Sequence, residues 1–97
     1  MSMSDSTASS MPISKLKGLG PQSEKTLARI GVHHADAFLA QNPFELFEQL
    51  YHLDGKANLN LLYAMIGAQQ GCHWQEVKQT QRLAILLRLE EMGIETA

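Results

Sequence analysis

The chain is poor in the features that mark most functional classes. It has a single cysteine, Cys72, among 97 residues, which excludes an intramolecular disulfide framework and suits a reducing, cytoplasmic setting. No apolar run approaches the ~20 residues that a membrane-crossing helix needs. Residues 1–10 combine neither a basic region nor an apolar core, so no secretory signal is expected there. Aromatic side chains are few, with three Phe, two Tyr and one Trp. A chain of this size has one small core and little room for a deep catalytic cleft. Eight Lys and Arg against ten Asp and Glu leave a net charge of −2. That is not the basic excess that holds nucleic acid by charge alone.

The average hides a segregated distribution. Residues 13–31 carry Lys15, Lys17, Lys25 and Arg29 against Glu24, a net +3, whereas residues 32–55 carry four carboxylates and no Lys or Arg, a net −4. Residues 56–97 balance at zero, and Asp5 stands alone before them all. The basic block therefore leaves open a local contact with an anion that the total charge argues against.

What is present is helical. Residues 1–12 are Ser-rich and contain no aromatic side chain, so they are expected to form a mobile tail, with the folded domain spanning residues 13–97. Gly18-Leu19-Gly20-Pro21 is a tight turn in which Pro21 suits the first position of a following helix. That helix is expected to run to about residue 30 with Ser23, Leu27 and Ile30 inward, then stop at Gly31 with Val32 folding back on its last turn. A short helix over residues 35–40 is expected to bury Phe38 and Leu39. Asn42-Pro43-Phe44-Glu45 reads as a capped helix start with a capping box, followed by Phe44, Phe47, Leu50 and Tyr51 on one face. Asp54-Gly55 ends it.

Asn58 caps the next helix, which is apolar nearly all round from Leu59 to Ala68 and is therefore expected at the centre of a bundle. Asn60 interrupts it, facing solvent or making a buried hydrogen bond to the hairpin, the second being preferred. Gly71 closes it. His73 and Trp74 are read as the turn that follows, with Trp74 covering the core and its indole N–H bonded to a loop carbonyl. The last helix is expected over residues 80–92. Its projection places Gln81, Arg88 and Glu91 on a narrow polar stripe, and Leu83, Ile85, Leu86, Leu87, Leu89 and Met92 on the rest. This arc is wider than one core contact needs, so either the helix lies deep or Ile85, Leu89 and Met92 meet another chain. No strand-like alternation occurs. The expected fold is all-α, a compact bundle of about five helices with a helix-hairpin-helix-like motif.

The chemistry concentrates in that motif. Two helices joined by Gly-apolar-Gly expose backbone N–H groups and the positive dipole end of the second helix, where a phosphate can rest with no base being read. The candidate nucleic-acid contacts are Lys15, Lys17, Gly18, Gly20, Gln22 and Lys25. Pro21 lacks an N–H and weakens the ring of donors. Elsewhere, His33, His34, His52, His73 and Cys72 lack the spacing of a zinc site, and no metal or cofactor is expected. Cys72 has only its neighbour His73 as a prospective base, so it reads as a structural thiol. Glu45 reads as a cap, and Asp36 and Glu48 as solvated acids. No enzyme activity and no small-molecule substrate are expected.

The run Leu16-Lys17-Gly18-Leu19-Gly20-Pro21-Gln22-Ser23-Glu24, with Leu27, Ile30-Gly31-Val32 and Asp36, resembles the opening of the C-terminal domain of the TfoX/Sxy bacterial competence regulators. The stretch Asn58-Leu59-Asn60-Leu61-Leu62-Tyr63-Ala64-Met65-Ile66-Gly67-Ala68, with Gly71-Cys72-His73-Trp74 and Leu86-Leu87, is similar to that domain's second signature. The resemblance covers residues 13–92. It implies a compact helical domain related to helix-hairpin-helix folds, and a cytoplasmic role in regulating natural transformation or a related transcriptional programme. Only the Ser-rich stretch precedes Ile13, so a stand-alone copy of the domain is expected, and the resemblance brings no catalytic residues. Two functions compete. One is a protein-interaction module for a transcription factor, a polymerase subunit or a second copy of the chain. The other is weak contact with the DNA backbone through the hairpin, without sequence preference.

Overall fold

The computed structural model describes residues 11–55 and 58–94; residues 1–10 of the expected Ser-rich tail lie outside the described residues. A 3-10 turn at Ile13–Lys15 leads into five helices, and the described residues contain no strand. The helices are α1 (Pro21–Ala28), α2 (Ala35–Leu39), α3 (Pro43–Asp54), α4 (Leu59–Gln70) and α5 (Trp74–Glu91). The fold is all-α, as its periodicity requires.

Local chemistry sets most of the boundaries. Pro43 opens α3 behind Asn42, whose Oδ1 accepts from the Phe44 N–H at 2.8 Å. Asn58 does the same for α4, accepting from the Leu61 N–H at 3.3 Å. Each cap satisfies a donor that the helix cannot. Glu45 is exposed and does not complete the reciprocal half of a capping box. Three helices end in one way, with a left-handed glycine followed by a residue whose N–H reaches back five positions. Val32 bonds the Leu27 carbonyl at 3.1 Å, Cys72 that of Gly67 at 2.9 Å, and Ile94 that of Leu89 at 2.9 Å. These are Schellman closures, and Val32 and Ile94 also bury their side chains, which locks each stop to the core.

The core is built around α4. Six consecutive residues, Leu62 to Gly67, are buried, so every face of that helix meets protein. Phe47 and Leu50 of α3, Phe38 of α2, Leu27 of α1, Leu19 of the hairpin, and Val77, Ile85 and Leu89 of α5 close around it. Gly67 is needed for close approach. A Cβ built there would lie 2.6 Å from the Cys72 backbone oxygen and 3.4 Å from the Trp74 nitrogen. The chain turns from α4 into α5 directly against the Gly67 backbone, and no side chain fits between.

Several expectations are corrected. Helix α5 starts at Trp74 rather than at residue 80, because His73 acts as its cap, its Nδ1 accepting from the Gln75 N–H at 3.1 Å. Trp74 is thus the first residue of a helix and not part of a loop. It packs half-buried against the core, and its indole forms no hydrogen bond among the described residues. Leu39 is 46% exposed, since the five-residue α2 can turn only Ala35 and Phe38 inward. The carbonyls at the end of α2 are instead met by Gln69 of α4, whose Nε2 donates to Phe38 at 3.0 Å and Gln41 at 2.7 Å. Asn60 is exposed and makes no buried bond to the hairpin. The first arm of the hairpin is one 3-10 turn and not a full helix.

Candidate functional site

Two regions carry the sequence-predicted site residues: the hairpin of residues 13–25 and helix α5. In the hairpin, the turn depends on Gly18, which takes φ +85°, a region closed to most side chains. Leu19 follows and is buried, its N–H bonded to the Leu16 carbonyl at 3.1 Å, so the turn is pinned to the core by its middle residue. Gly20 differs. It is extended, and a Cβ there would meet open space, so neither backbone nor packing demands glycine.

The start of α1 presents less positive field than the motif suggests. Pro21 has no N–H, which leaves Gln22 and Ser23 as the donors of the first turn. Glu24 stands one residue on, and its Oε2 accepts from the Ser14 N–H at 3.3 Å, so a carboxylate lies within the hairpin itself. Lys15, Lys17, Gln22 and Lys25 are all exposed. Gln22 lines a shallow groove of about 220 Å³ with Ser23, Thr26, Asn58, Asn60 and Leu61, and none of the three lysines lines it. Arg29, the fourth cation of this block, is turned away to Asp54 at the end of α3, with Nη2–Oδ1 at 2.6 Å and Nη1–Oδ2 at 3.2 Å. That hydrogen bond, and the Asp54 charge behind it, push the guanidinium pKa still higher. The basic and acidic blocks of the sequence are therefore joined at this point by a two-pronged ion pair at the surface.

Helix α5 turns Val77, Ile85 and Leu89 inward, and its polar residues differ in their surroundings. Gln81, assigned by projection to a polar stripe, is half-buried and exchanges two amide hydrogen bonds with Gln70 of α4, at 2.8 and 3.3 Å. The Arg88 guanidinium lies over the Phe44 ring of α3, 5.3 Å from its centroid, close enough for a cation–π contact. Gln81 and Arg88 thus border α4 and α3, while Arg88 and Glu91 stay exposed. Of the three residues predicted to meet a partner, Ile85 (3% exposed) and Leu89 (0%) belong to the chain's own core, and Met92 is half-buried against it. The apolar residues left outside are their neighbours Leu83, 72% exposed, and Leu87, 52% exposed.

The same helix shapes a groove that the sequence reading missed. Trp74, Lys78, Arg82 and Leu86 form one row of side chains at four-residue spacing, and Gln75, Gln79 and Leu83 form the next. Together they line a shallow, open groove along the face of this one helix. No carboxylate is among these residues, and neither Lys78 nor Arg82 joins an ion pair among the described residues. The four-residue repeat was readable in the sequence, but starting the helix at residue 80 cut the row in half.

The remaining candidates stay apart. His33 and His34 are exposed in the loop before α2, His52 lies near Glu48 at 3.8 Å on α3, and His73 caps α5 with its ring stacked on Trp74 at 5.9 Å. Among the described residues, no three His, Cys, Asp or Glu side chains come together as metal ligands. Cys72 is half-buried, its Sγ 3.9 Å from the Gln70 side-chain oxygen. No described helix is long and apolar enough to cross a membrane.

No curated protein and no solved structure matches the chain. Residues 10–89 match the TfoX C-terminal domain. That span contains the glycine hairpin, the buried α4 and nearly all of α5, so the match and the architecture describe one unit, and the chain belongs to the TfoX C-terminal domain family.

Proposed function

We propose that this TfoX C-terminal domain is a non-enzymatic regulatory module of the cytoplasm, acting through protein–protein contacts in transcriptional regulation linked to competence. The observation that carries this reading is the outward placement of Leu83 and Leu87 on α5, beside Ile85 and Leu89, which fill the core from the same helix. A helix that leaves two leucines one turn apart in water, beyond its own core contacts, has a surface suited to a partner. The test is a competence-gene reporter in cells that depend on this chain. Leu83→Ser with Leu87→Ser abolishes the response while leaving thermal unfolding unchanged. A full response from that folded variant overturns the reading.

Weak contact with the DNA backbone is a second reading, favoured by one observation: Lys15, Lys17 and Lys25 are all exposed on the hairpin and unpaired among the described residues. So few phosphate contacts would give a weak interaction with strong salt dependence. A low-salt duplex titration tests it. Lys17→Glu with Lys25→Glu eliminates binding, and unchanged binding rejects the reading.

A further inference from the structure

The groove on α5 has a composition of its own. Its walls are two parallel rows of side chains, and between such rows another helix seats its own ridge at close interaxial distance. The lining combines an indole, two leucines, two glutamines and two cations, with no carboxylate among them. Lys78 and Arg82 sit four residues apart on one row, so their heads point the same way, about one helical turn apart. Their aliphatic stems extend the apolar surface between Trp74 and Leu86, while their charges reach the rim.

We infer that this groove binds an acidic amphipathic helix of a partner protein. Apolar side chains of that helix would pack on Trp74, Leu83 and Leu86, and carboxylates flanking them would pair with Lys78 and Arg82. Charge complementarity selects this occupant. The cations have no partner within the described chain, and the apolar surface beside them needs cover that a fully solvated counter-ion does not supply. A polynucleotide fits less well. Two cations neutralise few phosphates, Leu83 offers nothing to a phosphate or a base edge, and the chain's net charge of −2 opposes a long polyanion. The inference rests on the reading of the domain as a protein-interaction module and names the chemistry of its partner.

Trp74 is the chain's single tryptophan, so its fluorescence reports on the groove without a label. The probe is a synthetic helix of about 18 residues with a leucine stripe flanked by glutamates, compared with the same peptide carrying glutamine at those positions and with single-stranded oligothymidylate. The acidic peptide produces a saturable shift of Trp74 emission that weakens as salt rises. Lys78→Glu with Arg82→Glu weakens it at least about tenfold, because exposed pairs are individually modest but reversal adds repulsion to their loss. A peptide with lysines in place of the glutamates then binds that double variant better than it binds the parent chain. Leu83→Ser also weakens the acidic peptide. Equal binding of the glutamine peptide, failure of the charge-swapped rescue, or no saturable shift overturns the inference. Tighter binding of oligothymidylate, insensitive to Leu83→Ser, overturns it in favour of nucleic acid. If the peptide fails while the reporter still depends on Leu83 and Leu87, the partner chemistry is wrong and the interaction module stands.

Discussion

Helices α4 and α5 are neighbours in sequence, pack against each other, and are both rich in leucine and isoleucine, yet they end in opposite environments. In α4 the six residues from Leu62 to Gly67 are buried without a break. In α5, which is half as long again, only Val77, Ile85 and Leu89 are buried, and Leu83 and Leu87 lie in water. The difference is one of place rather than hydrophobicity. Helix α4 packs against α3 and α5, bonds the end of α2 through Gln69 and shares one core with Leu27 of α1, whereas α5 packs chiefly against α4. An apolar residue on the central helix therefore stabilises the fold, and the same residue on the outer helix is available for something else.

That contrast can be broken by substitution, and the largest effect belongs to the centre. Leu62→Ala removes a fully buried side chain and lowers the unfolding free energy by about 2–5 kcal/mol, measured by urea denaturation. Gly67→Ala comes next. Its methyl group would enter at 2.6 Å from the Cys72 carbonyl oxygen, where backbone must move, and the cost is roughly 1–3 kcal/mol, even though alanine is the better helix former. If Gly67→Ala is neutral, the close approach of the α4–α5 turn does not hold in solution.

At the junction between the two helices, His73→Ala deletes the cap of α5 and costs about 1 kcal/mol, and His73→Asn recovers most of it because a carboxamide accepts the same Gln75 N–H. An Asn variant as unstable as the Ala variant would show that the imidazole acts through its stacking on Trp74 and not as a cap. On the outer face, Leu83→Ser and Leu87→Ser each change stability by no more than about 0.5 kcal/mol. A large loss from either would mean that the face is covered within the chain, and the case for a partner there would fall.

The legible part of the fold is the part decided within a turn or two of chain. Asn42-Pro43, Asn58, Gly31, Gly55 and Gly71 each mark a helix end through a local hydrogen bond or a left-handed backbone, and the structure places them at those ends. The buried character of α4 was equally readable, since no polar side suited a solvent face. Where reading failed, the missing information was not local. His73 is an uncommon cap, and the polar run after it hid the first six residues of α5. Asn60 and Leu39 took exposed positions because each lies on the side of its helix that no other element covers.

For the site, the sequence identified the exposed hairpin lysines and the excess apolar arc of the last helix, and it named Ile85, Leu89 and Met92 of that arc, of which Ile85 and Leu89 are core. Helical periodicity states which residues share a face and is silent about which face looks inward. Gln81 and Arg88 found partners across the helix boundaries in Gln70 and Phe44, a reciprocal amide and an aromatic ring that no projection contains. The sequence alone settled the helical class, the family resemblance, the caps and the central helix, because each rests on short-range geometry or on composition. Only the tertiary structure decided that Ile85 and Leu89 are core and that Leu83 and Leu87 are surface. Those outcomes depend on which elements stand next to α5, and contact across the bundle is the one quantity that spacing along the chain does not contain.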